Sequence, residues 1–191
     1  MYSTLRRCLA LAVPLLLVAC GSPDSPAPTA PLAVRSASFA LSQNGMALDR
    51  LARFDHRPNV TIAWAKKWIG PEGGRLQFLG FAVDVPAGAV SRVTQFSIRL
   101  PVDPQGSEHV VAEFGPHGAT FAVPVTIELP YAGTSVFGEP SSVLWWNSDV
   151  DDWVDMGATV TADGERLSTT TTHFSIYGTA SFSGTLTASG G

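Results

Sequence analysis

The sequence predicts an all-β protein, a single antiparallel β-sandwich preceded by a signal peptide and a proline-rich tether. Apolar and polar residues alternate over short stretches, turn residues separate those stretches, and no helical repeat comes between them. Short strands with frequent turns are typical of sandwiches and barrels. The alternating region spans residues 58–180, about the usual size of one domain.

The first 19 residues have the features of a secretion signal. Two arginines precede an apolar run over residues 9–17, which is too short to span a membrane. The run ends at Leu17-Val18-Ala19-Cys20, a pattern that resembles the lipobox of bacterial lipoproteins. The resemblance implies cleavage before Cys20, acylation of that cysteine, and attachment to a membrane by lipid alone. An ordinary signal peptide followed by a chance cysteine is the alternative.

The lipoprotein interpretation has consequences for chemistry and location. Cys8 lies in the removed segment and Cys20 carries lipid, so no thiol is left for a disulfide, a metal site or a nucleophile. Each buried acyl methylene contributes about 0.8 kcal/mol, which makes a multiply acylated terminus a lasting anchor. Gly21 in place of aspartate favours the outer membrane if the cell is Gram-negative. We therefore expect a protein of the bacterial cell envelope.

The charge of the mature chain argues against a polyanionic partner. Removal of residues 1–19 takes two of the 12 basic residues and leaves 10 against 16 acidic ones, a formal charge of −6. Nucleic-acid binding usually needs a basic stripe that displaces counterions. Lys66-Lys67 is the only adjacent pair of lysines. We predict no DNA or RNA partner.

Three segments flank the predicted sandwich. Residues 20–38 hold the candidate lipidated cysteine and a stretch rich in proline, serine and alanine, which we interpret as a tether reaching roughly 30 to 50 Å. Residues 39–57 show one turn of amphipathic helical spacing at Leu48, Leu51 and Phe54 and are left unassigned. Residues 181–191, rich in glycine, serine and threonine, are predicted to fray or to add an edge strand.

Within residues 58–180, four stretches carry the period of two that marks half-buried strands. Glycine-rich and proline-rich turns at 70–74, 86–88, 103–106 and 131–133 separate them. The predicted inward residues are Val60, Ile62 and Trp64; Phe81, Val83 and Val85; Phe96, Ile98 and Leu100; and Val125, Ile127 and Leu129.

Several segments together resemble the successive signatures of the ZU-five domain, a family named for zonula-occludens scaffold proteins and uncoordinated-five netrin receptors. They are Gly73-Gly74-Arg75-Leu76, Val85-Pro86-Ala87-Gly88-Ala89-Val90, Phe114-Gly115-Pro116-His117-Gly118-Ala119-Thr120-Phe121, Val123-Pro124-Val125 and Leu129-Pro130. The resemblance covers residues 70–131 closely and extends less specifically to Tyr177. It implies a β-sandwich used in protein interaction or structural support.

His173-Phe174-Ser175 matches a triplet at which autoprocessing members of that family cut themselves. The resemblance implies a scissile Phe174-Ser175 bond, attack by the Ser175 hydroxyl on the preceding carbonyl, and assistance from His173 in proton transfer. On an extended strand His173 and Ser175 project to the same face, which places a base near a hydroxyl. The alternative is an ordinary last strand with Phe174 and Ile176 in the core and His173, Ser175 and Tyr177 facing outward.

A hairpin around Trp145 and Trp146 carries the remaining candidate residues. Adjacent strand residues face opposite sides, so one indole is either an exposed binding anchor or lies beneath the tether or the 39–57 segment. Asp149, Asp151 and Asp152 follow in an oxygen-rich loop that departs from the EF-hand pattern. We interpret the loop as a solvated hairpin tip, with adventitious calcium as the alternative.

Together these features predict a lipid-anchored envelope protein without a cofactor, whose sandwich binds or supports an unknown envelope protein or glycan. His56, His109 and His117 share no metal-ligand spacing, and no zinc-protease, nucleophile-elbow or phosphate-loop motif is present. Two alternatives stay open. One is a self-cleaving domain that acts once at Phe174-Ser175, and the other is a glycan-binding or calcium-binding sandwich.

Overall fold

The computed structural model describes residues 48–59, 63–103 and 106–181. In these residues helix is limited to short 3-10 turns at Leu48–Arg50 and Gly106–Glu108. The predicted signal peptide, Cys20, the tether and the tail beyond Ser181 lie outside the described residues. The strands are β1 (Trp64–Ile69), β2 (Gly74–Phe78), β3 (Phe81–Val85), β4 (Thr94–Arg99), β5 (Val111–Gly115), β6 (Thr120–Pro130), β7 (Ser141–Asn147), β8 (Asp152–Asp155), β9 (Thr159–Val160), β10 (Arg166–His173) and β11 (Ile176–Ser181).

The strands form two sheets. In spatial order, β1, β4, β5, β11, β7 and β8 make a six-stranded sheet, and β2, β3, β6, β10 and β9 make a five-stranded sheet. All of these neighbours pair in the antiparallel direction. The prediction of an all-β antiparallel sandwich is confirmed.

One hydrophobic core lies between the sheets, and three of the four predicted alternating stretches supply it. Their inward side chains are no more than 6% exposed. Removal of apolar surface from water contributes about 25 cal/mol per Å². Since a shift of one residue would turn each inward set to the outside, this burial fixes the register of the strands. The confirmed sets are those of β3 (Phe81, Val83, Val85), of β4 and its end (Phe96, Ile98, Leu100), and of β6 (Val125, Ile127, Leu129).

The first predicted stretch has the opposite orientation. Val60 and Ile62 lie outside the described residues, but Trp64, predicted to share their inward face, is 48% exposed. In β1 it is Ala65 and Lys67 that pair with the buried residues of β4. Paired residues in an antiparallel ladder share a face. The predicted phase is therefore wrong by one residue, and Trp64 lies on the outer face of the six-stranded sheet.

Residues 48–51, part of the segment left unassigned by the sequence, pack on the other end of that outer face, whereas Ala52 and Phe54 contact the central core. Leu51 is 5% exposed and belongs to a second hydrophobic cluster with residues of β5, β7, β8 and β11. The Ala52 amide donates to the Thr179 carbonyl at 2.7 Å, and the Ala52 carbonyl accepts from the Val110 amide at 2.8 Å. Backbone bonds and apolar contacts together attach the segment to the sheet.

The outer face of the five-stranded sheet carries an ion-pair network instead of an apolar cluster. Arg75 of β2 pairs with Asp84 of β3 and with Glu128 of β6, whose carboxylate also meets Arg166 of β10 at 2.8 Å. The hydrogen bond from Arg75 lowers the pKa of the Glu128 carboxyl. This polar face needs no covering segment.

Candidate functional site

The His173-Phe174-Ser175 triplet lies where the chain crosses from one sheet to the other. β10 ends at His173 in the five-stranded sheet and β11 begins at Ile176 in the six-stranded sheet. The prediction of one extended strand through the triplet is therefore wrong. Phe174 is 1% exposed, and its ring lies 4.6 Å from that of Phe121. The crossing is held in the centre of the core.

In the alternative of an ordinary last strand, the core position of Phe174 is confirmed, but the positions of Tyr177 and Ile176 are not. Tyr177, expected to face outward, is fully buried in the central core, whereas Ile176 belongs to the second cluster on the outer face. Burial raises the pKa of the Tyr177 phenol to about 12, against a smaller opposing effect of its hydrogen bond with Thr171. The phenol donates to the His173 carbonyl at 2.6 Å, which holds the last residue of β10 in place.

The candidate scissile bond has a hydrogen-bond donor on its carbonyl. The Gly118 amide donates to the Phe174 carbonyl oxygen at 3.0 Å, and the Phe174 amide donates to the Ala119 carbonyl at 2.9 Å. Gly118 has a φ of +74°, a left-handed conformation that glycine adopts without strain. The sequence marks this segment only as a turn. Gly118 is thus a residue of the site that sequence reasoning missed.

The His173 imidazole is placed as a neutral base. Burial lowers the pKa of His173, so the ring is neutral at pH 7. Its Nδ1 lies 3.4 Å from the Thr171 hydroxyl, and its Nε2 is buried without a hydrogen-bond partner among the described residues. The ring packs edge-on against Trp145 at a centroid distance of 4.8 Å.

Ser175 is 8% exposed and its hydroxyl donates to the Trp146 carbonyl at 3.2 Å. In the described part of the chain no hydrogen bond joins the side chains of His173 and Ser175. The structure therefore brings a donor to the Phe174 carbonyl and a buried hydroxyl to the following residue, while the histidine and the serine have separate partners. Attack by Ser175 requires its hydroxyl to leave Trp146.

The two adjacent tryptophans lie on opposite faces, as predicted, and neither is an exposed anchor. Trp146 is 7% exposed and packs against Trp153 at 5.4 Å, in the same cluster as Leu51. Trp145 is half-buried against the central core. This burial weighs against the predicted binding role of Trp145 and Trp146 and agrees with packing beneath the 39–57 segment.

The acidic loop between β7 and β8 makes a local hydrogen bond and a long-range ion pair. The Asp149 amide donates to the Asn147 side chain at 2.9 Å, and Asp152 accepts from the Arg50 guanidinium at 2.8 Å. Asp151 has a φ of +52° at the turn. Across the described residues no group of three or more histidine, cysteine or acidic side chains is arranged to hold a metal ion.

A surface that the sequence did not predict lies on the outer face of β1. Trp64 and Trp68 are 48% and 64% exposed, and Lys66 between them places its Nζ 4.5 Å from the centre of the Trp64 ring. Four residues along a strand separate the two tryptophans by about 13 Å. We call the outward residues of β1 and β4 the open half of the six-stranded sheet: Trp64, Lys66, Trp68, Gln95, Ser97 and Arg99.

The rest of that outer face is the covered half, over which residues 48–51 pack. It consists of Val111, Leu144, Trp146, Trp153, Ile176 and Ala180.

The charged residues of the open half are both basic. They are Lys66 and Arg99, and β1 and β4 contain no acidic residue. Lys67, on the inward side of the edge strand, donates to the Arg75 carbonyl at 2.9 Å. Arg99 pairs with Glu113 of β5 at 3.1 Å. An aromatic surface that carries Lys66 therefore occupies one edge of a chain whose formal charge is −4.

Comparisons with known proteins add no relationship to these observations. No protein-family model matches the chain, and no curated protein matches it either. Among the described residues, no helix has the length and apolar character needed to cross a membrane.

Proposed function

We propose that this chain is a lipid-anchored cell-envelope protein whose β-sandwich is a non-enzymatic binding or structural module. The sequence Leu17-Val18-Ala19-Cys20 behind a short apolar run supports the anchor. The observation that carries the module is the open half, where Trp64 and Trp68 are 48% and 64% exposed on one face of a sheet. Clustered exposed apolar side chains mark interaction surfaces, whereas single ones do not.

The anchor is tested by processing at Cys20. In cells that make the wild-type chain, we expect a mature N-terminal peptide whose mass includes acyl groups, and a protein found with the membrane fraction. Globomycin and Cys20→Ala are both expected to stop this processing. Cys8→Ala is the matched control and should be processed normally, because residue 8 lies in the removed segment. A mature, membrane-bound chain that survives Cys20→Ala would refute the anchor.

Self-cleavage is a second candidate function, favoured by the Gly118 amide on the Phe174 carbonyl. In this reaction the Ser175 hydroxyl attacks that carbonyl and the peptide nitrogen leaves as the amine of Ser175, taking a proton. The resulting ester is hydrolysed by water to a carboxylate at Phe174 and the free hydroxyl. Gly118 would stabilise the developing oxyanion, and the neutral His173 would accept and return the hydroxyl proton.

Intact mass separates the two functions. If the chain cuts itself, residues 37–191 give a fragment that ends at Phe174, and Ser175→Ala abolishes it. Ser168→Ala, on β10 but away from the crossing, is the control and keeps the fragment. One uncut mass in all three proteins would reject self-cleavage and leave the non-enzymatic module.

A further inference from the structure

We propose that the open half binds the anionic headgroup surface of a phospholipid bilayer, with Trp64 and Trp68 in the interfacial layer and Lys66 against the phosphates. The proposal rests on the proposed function in one respect, that a lipid on Cys20 keeps the sandwich near a bilayer. It names the partner class for the binding module.

The chemistry of the side chains fits a bilayer interface. Tryptophan and lysine both combine an apolar body with a polar end, and both are favoured where hydrocarbon meets water. Trp64, Lys66 and Trp68 alternate along one strand, so they present this character along a line of about 13 Å on one side of the sheet. The line lies on the edge strand of the six-stranded sheet, where it can approach a flat surface.

Charge complementarity selects the anionic lipid. The open half has two basic side chains, Lys66 and Arg99, and no acid, although acids outnumber bases in the whole chain. The acid that the neighbouring strand turns to the same face, Glu113, is paired with Arg99 and its side chain is 15% exposed. A basic residue near an anionic leaflet strengthens binding about fivefold. An anionic bilayer therefore attracts the basic side chains of the open half, although it repels the rest of the chain, which is acidic overall.

The third argument is the length of chain between the proposed lipid anchor and the sandwich. Cys20 precedes the first described residue, Leu48, by 28 positions. A lipid at that distance holds the sandwich at a high effective concentration beside the bilayer, so a contact that is weak for the free domain becomes significant for the anchored one.

Vesicle binding by the chain without its lipid tests the proposal independently of Cys20. Residues 37–191 contain every residue of both hydrophobic clusters and form a compact unit of their own. We expect this protein to sediment with phosphatidylglycerol vesicles more than with phosphatidylcholine vesicles, with a blue shift of tryptophan emission. Binding should weaken with salt, because charges are screened over about 10 Å at 0.1 M.

Variants assign the binding to the open half. Trp64→Ala with Trp68→Ala should weaken binding about tenfold through lost apolar area, and Lys66→Gln about fivefold. Phe137→Ala removes an aromatic that is 59% exposed elsewhere and should change nothing. Near-UV circular dichroism verifies folding, and Trp64→Phe with Trp68→Phe should retain most binding.

Three results would overturn the proposal. The first is the absence of binding to either vesicle, and the second is vesicle binding that Trp64→Ala with Trp68→Ala and Lys66→Gln leave unchanged. Binding of the same open half to purified cell-wall glycan in place of vesicles would also reject the lipid partner. None of these results bears on acylation of Cys20, which is measured separately by globomycin and Cys20→Ala.

Discussion

The covered and open halves of the six-stranded sheet contain the same type of residue in opposite environments. In the covered half, Trp146 and Trp153 are 7% and 3% exposed beneath Leu51, whereas Trp64 and Trp68 in the open half are 48% and 64% exposed. Both pairs lie on the outer face of the same sheet. The difference lies in residues 48–51, which cover one end of the face and leave the other bare. The role of a tryptophan here depends on what packs over it.

The largest expected effect on the free energy of unfolding follows from this contrast between buried and exposed tryptophans. Trp146→Ala should lower the free energy of unfolding by about 3 to 5 kcal/mol, the usual cost of emptying a buried aromatic site. Trp68→Ala should change it by less than about 0.5 kcal/mol, as for most surface substitutions. Urea unfolding of both variants measures the difference. Equal losses would mean that the open half is structurally as important as the covered half.

A substitution at Gly178 should displace residues 48–51, which pack over the covered half. A Cβ atom at this position would lie 2.7 Å from Leu51 Cδ2 and 3.3 Å from the Val110 carbonyl. Gly178→Ala should therefore cost about 1 to 3 kcal/mol, the range of overpacked sites. Hydrogen exchange at the Ala52 amide, which bonds to Thr179, should become faster. Gly74→Ala is the control, since its Cβ would make only ordinary contacts with Ile69. Unchanged exchange at Ala52 would refute the prediction.

Acid pH should lower the free energy of unfolding through His173, which packs against Trp145 where the chain crosses between the two sheets. Burial lowers the folded-state pKa of His173 below its ordinary value of about 6.5, so unfolding takes up a proton at acid pH. The contribution of neutral His173 to the free energy of unfolding is therefore present above about pH 6.5 and is lost as the pH falls below that value. His173→Gln should reduce the decrease in unfolding free energy between pH 7.5 and pH 5. Equal decreases in both proteins would contradict the pKa shift.

The smallest expected change in unfolding free energy concerns the ion pair between residue 50 of the covering segment and the first residue of β8. Arg50 and Asp152 meet at 2.8 Å with side chains that are 47% and 56% exposed. Asp152→Asn should cost about 0.2 to 1 kcal/mol, as exposed pairs do, and the loss should shrink in high salt. A loss comparable to that of Gly178→Ala would show that charge, more than apolar contact, attaches residues 48–54.

The core could be predicted from sequence because its strands alternate strictly. Val125, Ile127 and Leu129 are each separated by one polar residue and are fully buried. Which residues of β1 face the core could not be predicted in this way. Lys66 and Lys67 place a lysine on each face, so neither face is distinguished as apolar, and the burial of Trp64 was inferred from the residues before it. The covering role of residues 48–51 depends on long-range contacts such as Leu51 with Gly178, which no local pattern encodes.

The candidate site was only partly accessible to sequence reasoning for a related reason. Period-two alternation assumes one sheet, but the chain changes sheets between His173 and Ile176. Phe174 and Tyr177 therefore enter the central core while Ile176 faces the second cluster. Gly118 could not be connected to Phe174, since 56 positions separate them and only the folded turn brings the amide to the carbonyl.

The position of β11 has a consequence for the order of assembly during synthesis. β11 is the last described strand, yet it lies between β5 and β7 in the middle of the six-stranded sheet. Until residues 176–181 have left the ribosome, β1, β4 and β5 have no ladder to β7 and β8, and the sheet exists as two separate ribbons. Completion therefore comes from pairing over long sequence distances, which is slow. During that interval the edges of β5 and β7 that later pair with β11 are open, and an unpaired strand edge is a template for pairing with another chain.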